Sequence, residues 1–134
     1  MLSTTSQQRL ATCDLKIQKL VTKVSETFPL IVIVGHRNQA DQDKAFAEKK
    51  SKLRWPNSKH NSNPSRAVDI APSVVVNGKE TIDWNNRERF CYFAGYVMRV
   101  ADEQGIKVRW GGDWNQNRDP KDDGWDLVHF ELVG

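Results

Sequence analysis

Apolar residues Leu10, Cys13, Ile17, Leu20, Val21, Val24 and Phe28 recur at steps of three and four, which lines one face of a helix. The pattern predicts one amphipathic helix over residues 5–27, ended by Pro29. The run LIVIV, residues 30–34, is short, β-branched and apolar on both faces, and predicts a buried strand emerging at Gly35. A polar, alanine-containing segment over 38–51 predicts a second helix, followed by a basic loop.

A strand pattern resumes from Ala67 to Ala71, and VVVNGKETI places Asn77-Gly78 between β-prone runs, a hairpin signal because both turn positions need positive φ. Asn85 followed by Glu88 reads as a capping box for a helix with the apolar stripe Phe90, Phe93, Ala94, Val97 and Ala101, stopped by Gly105. A strand over 107–110, a long polar loop and a last strand over 127–133 complete the chain. The expected fold class is α+β: a small, mainly antiparallel sheet with about three helices, in one domain over residues 1–134.

Composition narrows the classes. With 38% hydrophobic residues, 28% charged and five Trp in 134 residues, the chain is expected to fold rather than stay disordered. No apolar run approaches the roughly 18 residues of a membrane span. The opening MLSTTSQQRLATCDLK has no apolar segment of the signal-peptide kind, so the protein is expected to be made and left in a cytoplasm. Cys13 and Cys91, without a CxxC, are expected to be buried thiols. The net charge of +3 arises mostly between Lys44 and Arg66; it suits an anionic partner and equally a solvated helix face. Trp55 is the sole aromatic beside the loop's cations, which argues against nucleic acid.

Candidate chemistry centres on the three histidines, His36, His60 and His129. A zinc hydrolase uses about three N or O ligands and an open position for water. His60, Asp69 and His129 form one such set, on segments far apart in the chain. In a strand, Asp69 shares a face with Ala67 and Ala71, whose small side chains leave room for an ion. Taken singly, an exposed loop histidine, an edge aspartate and a satisfied strand histidine explain these residues as well, and spacing alone does not decide. Asp126 precedes His129 by three positions and can serve as general base if it lies just before the strand or on a bulge. Glu131 shares the face of His129 and can orient its imidazole, act as base itself, or face solvent. Arg37, delivered by the strand ending at Gly35, can stabilise an oxyanion or clamp a carboxylate, or form a plain surface ion pair. His36 is the competing ligand, ranked below His60 and His129.

In combination, SKHNSNPSRAVD (residues 58–69) followed by DLVHFEL near the C-terminus resembles the zinc peptidases of the hedgehog/D-Ala-D-Ala-peptidase fold, with the phage L-alanyl-D-glutamate endopeptidase type of endolysin as the nearest likeness. GHRNQADQ is similar to that family's G-x-R-(T/S)-x-x-x-Q segment, IDWNN to a stretch before its third helix, and RWGGDWN to its (R/x)-(F/W)-G-x-D-W element. The resemblance runs from about residue 7 almost to the end. It implies one Zn2+ held by His60, Asp69 and His129, Asp126 as catalytic acid and base, and Arg37 as transition-state stabiliser. The implied substrate is peptidoglycan, cut in its peptide stems by a monomer that needs neither nucleic acid nor membrane and stays in the host cytoplasm until released to the cell wall. Two departures from the D-Ala-D-Ala branch stand out. Its S-x-H-x-x-G-x-A-x-D spacing is replaced by a longer one with Asn63-Pro64-Ser65, and its usual Glu is Asp126 here. A D,D-carboxypeptidase or dipeptidase, or a non-catalytic zinc-binding module, are the alternatives.

Two features remain. Asp113, Asn115, Asn117 and Asp119 alternate as calcium-loop ligands do, but Arg118 stands where an EF-hand needs Gly and Gly124 where it needs Glu, which excludes an EF-hand; a looser Ca2+ site is the alternative to loop acids that are simply solvated, with Asp113 able to anchor the neighbouring loop instead. Trp114 and Trp125 are the candidates to line a substrate groove.

Overall fold

The computed structural model describes residues 2–121 and 124–134. In chain order the elements are α1 (Thr4–Leu10), α2 (Leu15–Ser25), β1 (Leu30–Val34), α3 (Gln39–Ala47), a 3-10 turn (Lys59–Asn61), β2 (Ala67–Pro72), β3 (Val74–Val76), β4 (Lys79–Thr81), α4 (Arg87–Gln104), β5 (Val108–Trp110) and β6 (His129–Leu132). The α+β expectation holds. A four-stranded antiparallel sheet has the order β1-β2-β6-β5, and β3 and β4 form a separate hairpin.

Two apolar layers build the core. Ile17, Leu20, Val21 and Val24 of α2 and Phe93, Val97, Val100 and Ala101 of α4 form one buried cluster with Val68 and Ile70 of β2 and Phe130 and Leu132 of β6; α2 packs on α4, and α4 on β2 and β5. Fully burying one such aliphatic side chain is worth about 1.5–3 kcal/mol. The predicted α4 stripe is buried throughout. Its cap is Asn86 rather than Asn85: the Asn86 side chain accepts from Arg89 N at 3.1 Å, and Gly105 closes the helix in the left-handed region at φ 70°. Asn77 at φ 52° and Gly78 at φ 77° make the expected hairpin turn.

The single helix expected over 5–27 is two. Cys13 leaves the helical path to bridge Ser65, and Asp14 starts α2 by accepting from Lys16 N at 2.8 Å. The break lets α1 turn aside and cover the free edge of β1, which is an edge strand rather than an interior one. Ser6 Oγ accepts from Val32 N at 3.0 Å, and Arg9 Nη1 donates to Val32 O at 3.0 Å, so side chains satisfy the edge's backbone groups. The polar segment 38–51 is helical only to Ala47, and the last strand starts at His129. Both cysteines are free thiols; Cys13 is buried, as expected, whereas Cys91, on α4, is only half-buried, packed against the border of the core cluster. Among the described residues no helix is long and apolar enough to cross a membrane.

β1 leaves the sheet through the elbow between α1 and α2. A Cβ on Gly35 would stand 2.3 Å from Arg9 O and from Thr12 Oγ1, and 3.1 Å from Cys13 Sγ. Gly35→Ala is therefore expected to destabilise the fold by about 1–3 kcal/mol, read as a lower urea-denaturation midpoint; an unchanged midpoint would mean the elbow opens freely.

Candidate metal centre

β2 and β6 pair with Asp69 opposite His129, Val68 opposite Phe130 and Ala67 opposite Glu131. Side chains alternate along a strand, so burying Val68 and Phe130 under the helices turns Asp69, His129 and Glu131 to the other face. Asp69 thus sits on an inner strand of the sheet, buried along its whole length. His60 arrives from the 3-10 turn, which is locked by a reciprocal cap: His60 N donates to Ser58 Oγ at 3.2 Å and Ser58 N to Asn61 Oδ1 at 3.0 Å. His60 is 1% exposed.

Three atoms converge. His60 Nε2 lies 3.0 Å from Asp69 Oδ1, His129 Nδ1 lies 3.1 Å from the same oxygen, and the two ring nitrogens are 3.2 Å apart. The outer ring nitrogens are committed: His60 Nδ1 is 2.8 Å from Gly35 O, and His129 Nε2 is 2.9 Å from Glu131 Oε1. A carbonyl or an ionised carboxylate only accepts, so each outer nitrogen carries the proton and each inner one offers a lone pair. Two lone pairs and a carboxylate oxygen then face one another, an arrangement that calls for a positive charge between them, whether a proton or a metal ion. Metal–ligand bonds of about 2.0–2.1 Å in a tetrahedron set ligand atoms roughly 3.3 Å apart, close to these separations. His60, Asp69 and His129 form a group that can hold a metal ion.

The surrounding charges agree. Burial opposes the ionised form of Asp69, but the His60 and His129 imidazoles outweigh it and hold the carboxyl far below the usual range. Burial likewise opposes the His129 cation, yet Asp69 and Glu131 push its pKa up to about 9. Glu131 is depressed, with burial overcome by His129 and by Lys59, whose Nζ lies 3.3 Å from Glu131 Oε2. Asp126 is raised to about 6 by burial, with the Asp69 charge adding to it.

Asp126 stands just before β6, as its spacing from His129 requires: a turn over 127–128 closes with His129 N donating to Asp126 O at 3.2 Å. Close approach to Gly111 fixes the segment. Asp126 N donates to Gly111 O at 3.1 Å, and a Cβ on Gly111 would meet Asp126 O at 2.2 Å. Arg37 Nη2 lies 3.7 Å from Asp69 Oδ2. The Trp114 ring leans on His129 at 5.5 Å and stacks on Trp125 at 5.9 Å, and Lys52 Nζ rests 4.3 Å from the Trp125 ring centroid. His36 stands outside the group, its Nδ1 2.9 Å from Ser62 O. In the loop from Asp113 to Asp119, carboxylate and amide oxygens accept from backbone N–H groups: Asp113 from Asn117 and Arg118, Asn115 from Asn117, Asn117 from Asp119, and Asp119 from Lys121. Residues 122 and 123 of this loop lie outside the described residues. Gln42, Asn61, Lys59 and Gly111 were not assigned from sequence. The S-x-x-N spacing from Ser58 to Asn61 signals a cap, and Gln42 and Gly111 fall on positions of the GHRNQADQ and RWGGDWN motifs, but all four act through contacts far apart in the chain.

The family model for the phage L-alanyl-D-glutamate peptidase matches residues 1–133. The L-alanyl-D-glutamate peptidase of Escherichia phage T5 is 35% identical over 135 residues, covering 96% of this chain and 94% of the phage protein. The crystal structure of the Serratia marcescens L-Ala D-Glu endopeptidase ChiX is similar with a TM-score of 0.71 and 25% identity, over 99% of this chain and 90% of that one. Fold, ordered motifs and near full-length matches agree: the chain belongs to the phage L-alanyl-D-glutamate peptidase family.

Proposed function

We propose that residues 1–134 form one zinc peptidase domain that hydrolyses the L-alanyl–D-glutamate bond in the peptide stems of peptidoglycan. The observation that carries this reading is the convergence of His60 Nε2, Asp69 Oδ1 and His129 Nδ1, all within 3.2 Å, with both outer ring nitrogens committed elsewhere. Two imidazoles and one carboxylate suit zinc, which supplies Lewis acidity that polarises a carbonyl and acidifies water. Asp126, its pKa near 6, takes the proton from the attacking water and returns it to the leaving amine. The Arg37 guanidinium offers positive charge to the developing oxyanion. Glu131, backed by Lys59, orients His129 from behind. Trp114 and Trp125, stacked on each other beside His129, would line the substrate groove. Ligands, proton acceptor and Arg37 all come from one chain, so a monomer suffices.

Digestion of purified peptidoglycan with and without chelator, followed by mass spectrometry of the fragments, tests the reading. New L-Ala C-termini and D-Glu N-termini that vanish with chelator are expected. Release of terminal D-Ala instead would make the protein a D,D-carboxypeptidase, and metal binding without hydrolysis a non-catalytic module.

One zinc per chain is expected by elemental analysis, and His60→Ala or His129→Ala should lose it together with the thermal stabilisation that metal adds to the parent. If His36→Ala loses the metal instead, the ligand set is wrong.

Asp126→Asn should keep its zinc while kcat falls roughly 10²- to 10⁴-fold. The base must be ionised, so parental kcat/KM is present above the Asp126 pKa and lost below it. A bound cation draws that pKa down from its raised position, placing the acid limb at or below about 6, and the limb should be missing in Asp126→Asn.

Glu131→Gln should weaken zinc affinity roughly 10- to 100-fold by metal titration, yet remain active when saturated. An inactive Glu131→Gln protein with full zinc would move the base role to Glu131.

A further inference from the structure

Gln42, on α3, is wholly buried and contributes none of the converging metal-binding atoms. A primary amide has two acceptor sites and two donors, and Gln42 uses all four. Oε1 accepts from Arg37 Nη1 and from Asn61 Nδ2, both at 3.1 Å, while Nε2 donates to Leu53 O at 2.6 Å and Ser51 Oγ at 3.0 Å. The partners fix the orientation of the amide, since a guanidinium only donates and a carbonyl only accepts. Asn61 Nδ2 also reaches Arg37 O at 3.1 Å, and Arg37 N donates to His60 O at 2.8 Å. One buried network therefore grips Arg37 by its backbone and its head, beside the turn that carries His60. At the opposite end of the guanidinium, Nη2 is 3.7 Å from Asp69 Oδ2, beyond hydrogen-bond length, so the carboxylate alone does not fix its angle.

We infer that Gln42 is a positioning residue: without meeting the substrate, it holds the Arg37 guanidinium aimed at the metal-binding corner. The inference rests on the role proposed above for Arg37. The competing explanation is that Gln42 only staples the loop at Ser51 and Leu53 to α3.

A double-mutant cycle separates the two, using Gln42→Met, Arg37→Met and the double variant, with kcat, KM, zinc content and thermal midpoint measured on a soluble stem peptide. Gln42→Met should lower kcat roughly 10- to 100-fold, the effect of a misaimed group, with KM and zinc content little changed. In the Arg37→Met background the same substitution should cost no further kcat, while still lowering the thermal midpoint through the lost Ser51, Leu53 and Asn61 bonds. Ser51→Ala, which loosens only the loop side of the network, should lower the midpoint and spare kcat. Full kcat in Gln42→Met, or an equal fold-loss in both backgrounds, overturns the inference. Undiminished kcat in Arg37→Met overturns the role of Arg37 itself. Should Gln42→Met fail to fold, Gln42→Asn, too short to span Arg37 and Leu53, carries the same cycle.

Discussion

Asp69 faces His129 because β2 and β6 pair in a single register, and that register is enforced from the opposite side of the sheet. Val68, Ile70, Phe130 and Leu132 point into the layer formed by α2 and α4. A slip of one residue would turn these four outward and bury the polar set beneath the helices. The apolar core thus acts as the jig for the polar face. His60 depends on the same sheet at one remove: β1 pairs with β2 through an irregularity between Val32 and Val34, and Gly35, just past it, supplies the carbonyl that holds the His60 ring.

Such a face is expensive to build. Taking a carboxylate and two imidazoles out of water costs stability unless each polar atom finds a partner. The outward-facing atoms find theirs in Gly35, Glu131 with Lys59, and Arg37; the inward-facing ones find only each other. The opposite displacements, Asp69 down and His129 up, show how strongly the carboxylate and the imidazoles attract one another. A metal ion at the corner would replace the His129 proton as the positive partner of Asp69, which couples folding to metal loading. Asp126, pressed towards its neutral form by burial, is close enough to feel the Asp69 charge, and its backbone is held against that of Gly111.

What could be read from the sequence was local. β1, the Asn77-Gly78 hairpin and the stripe of α4 follow from residues a few positions apart, and the structure places them where expected. The split between α1 and α2 was hidden because Leu10, Cys13 and Ile17 keep helical spacing straight across it, although Asp14 offered a cap. LIVIV reads as a buried strand without saying where in the sheet it lies; it is an edge strand whose Val32 backbone groups are satisfied by Ser6 and Arg9 of α1. The ligand trio was legible as a set through its ordered motifs. Asp126 was legible only conditionally, since three positions before a strand residue is the wrong face unless a turn intervenes, and one does. Gln42 and Gly111 fall on positions of the GHRNQADQ and RWGGDWN motifs and Asn61 closes an S-x-x-N spacing, yet their roles were not legible, because their work consists of contacts between segments remote in sequence.

The placement of β6 bears on the timing of synthesis. It is the last element in chain order, yet it lies inside the sheet, between β2 and β5. While the chain is being made, β5 has no strand to pair with and β2 has only β1, so the sheet remains in two pieces until residues 129–132 emerge. His129 comes with them. A ribosome-bound or prematurely ended chain therefore carries two of the three converging residues and lacks both the third and the strand pairing that sets it opposite Asp69.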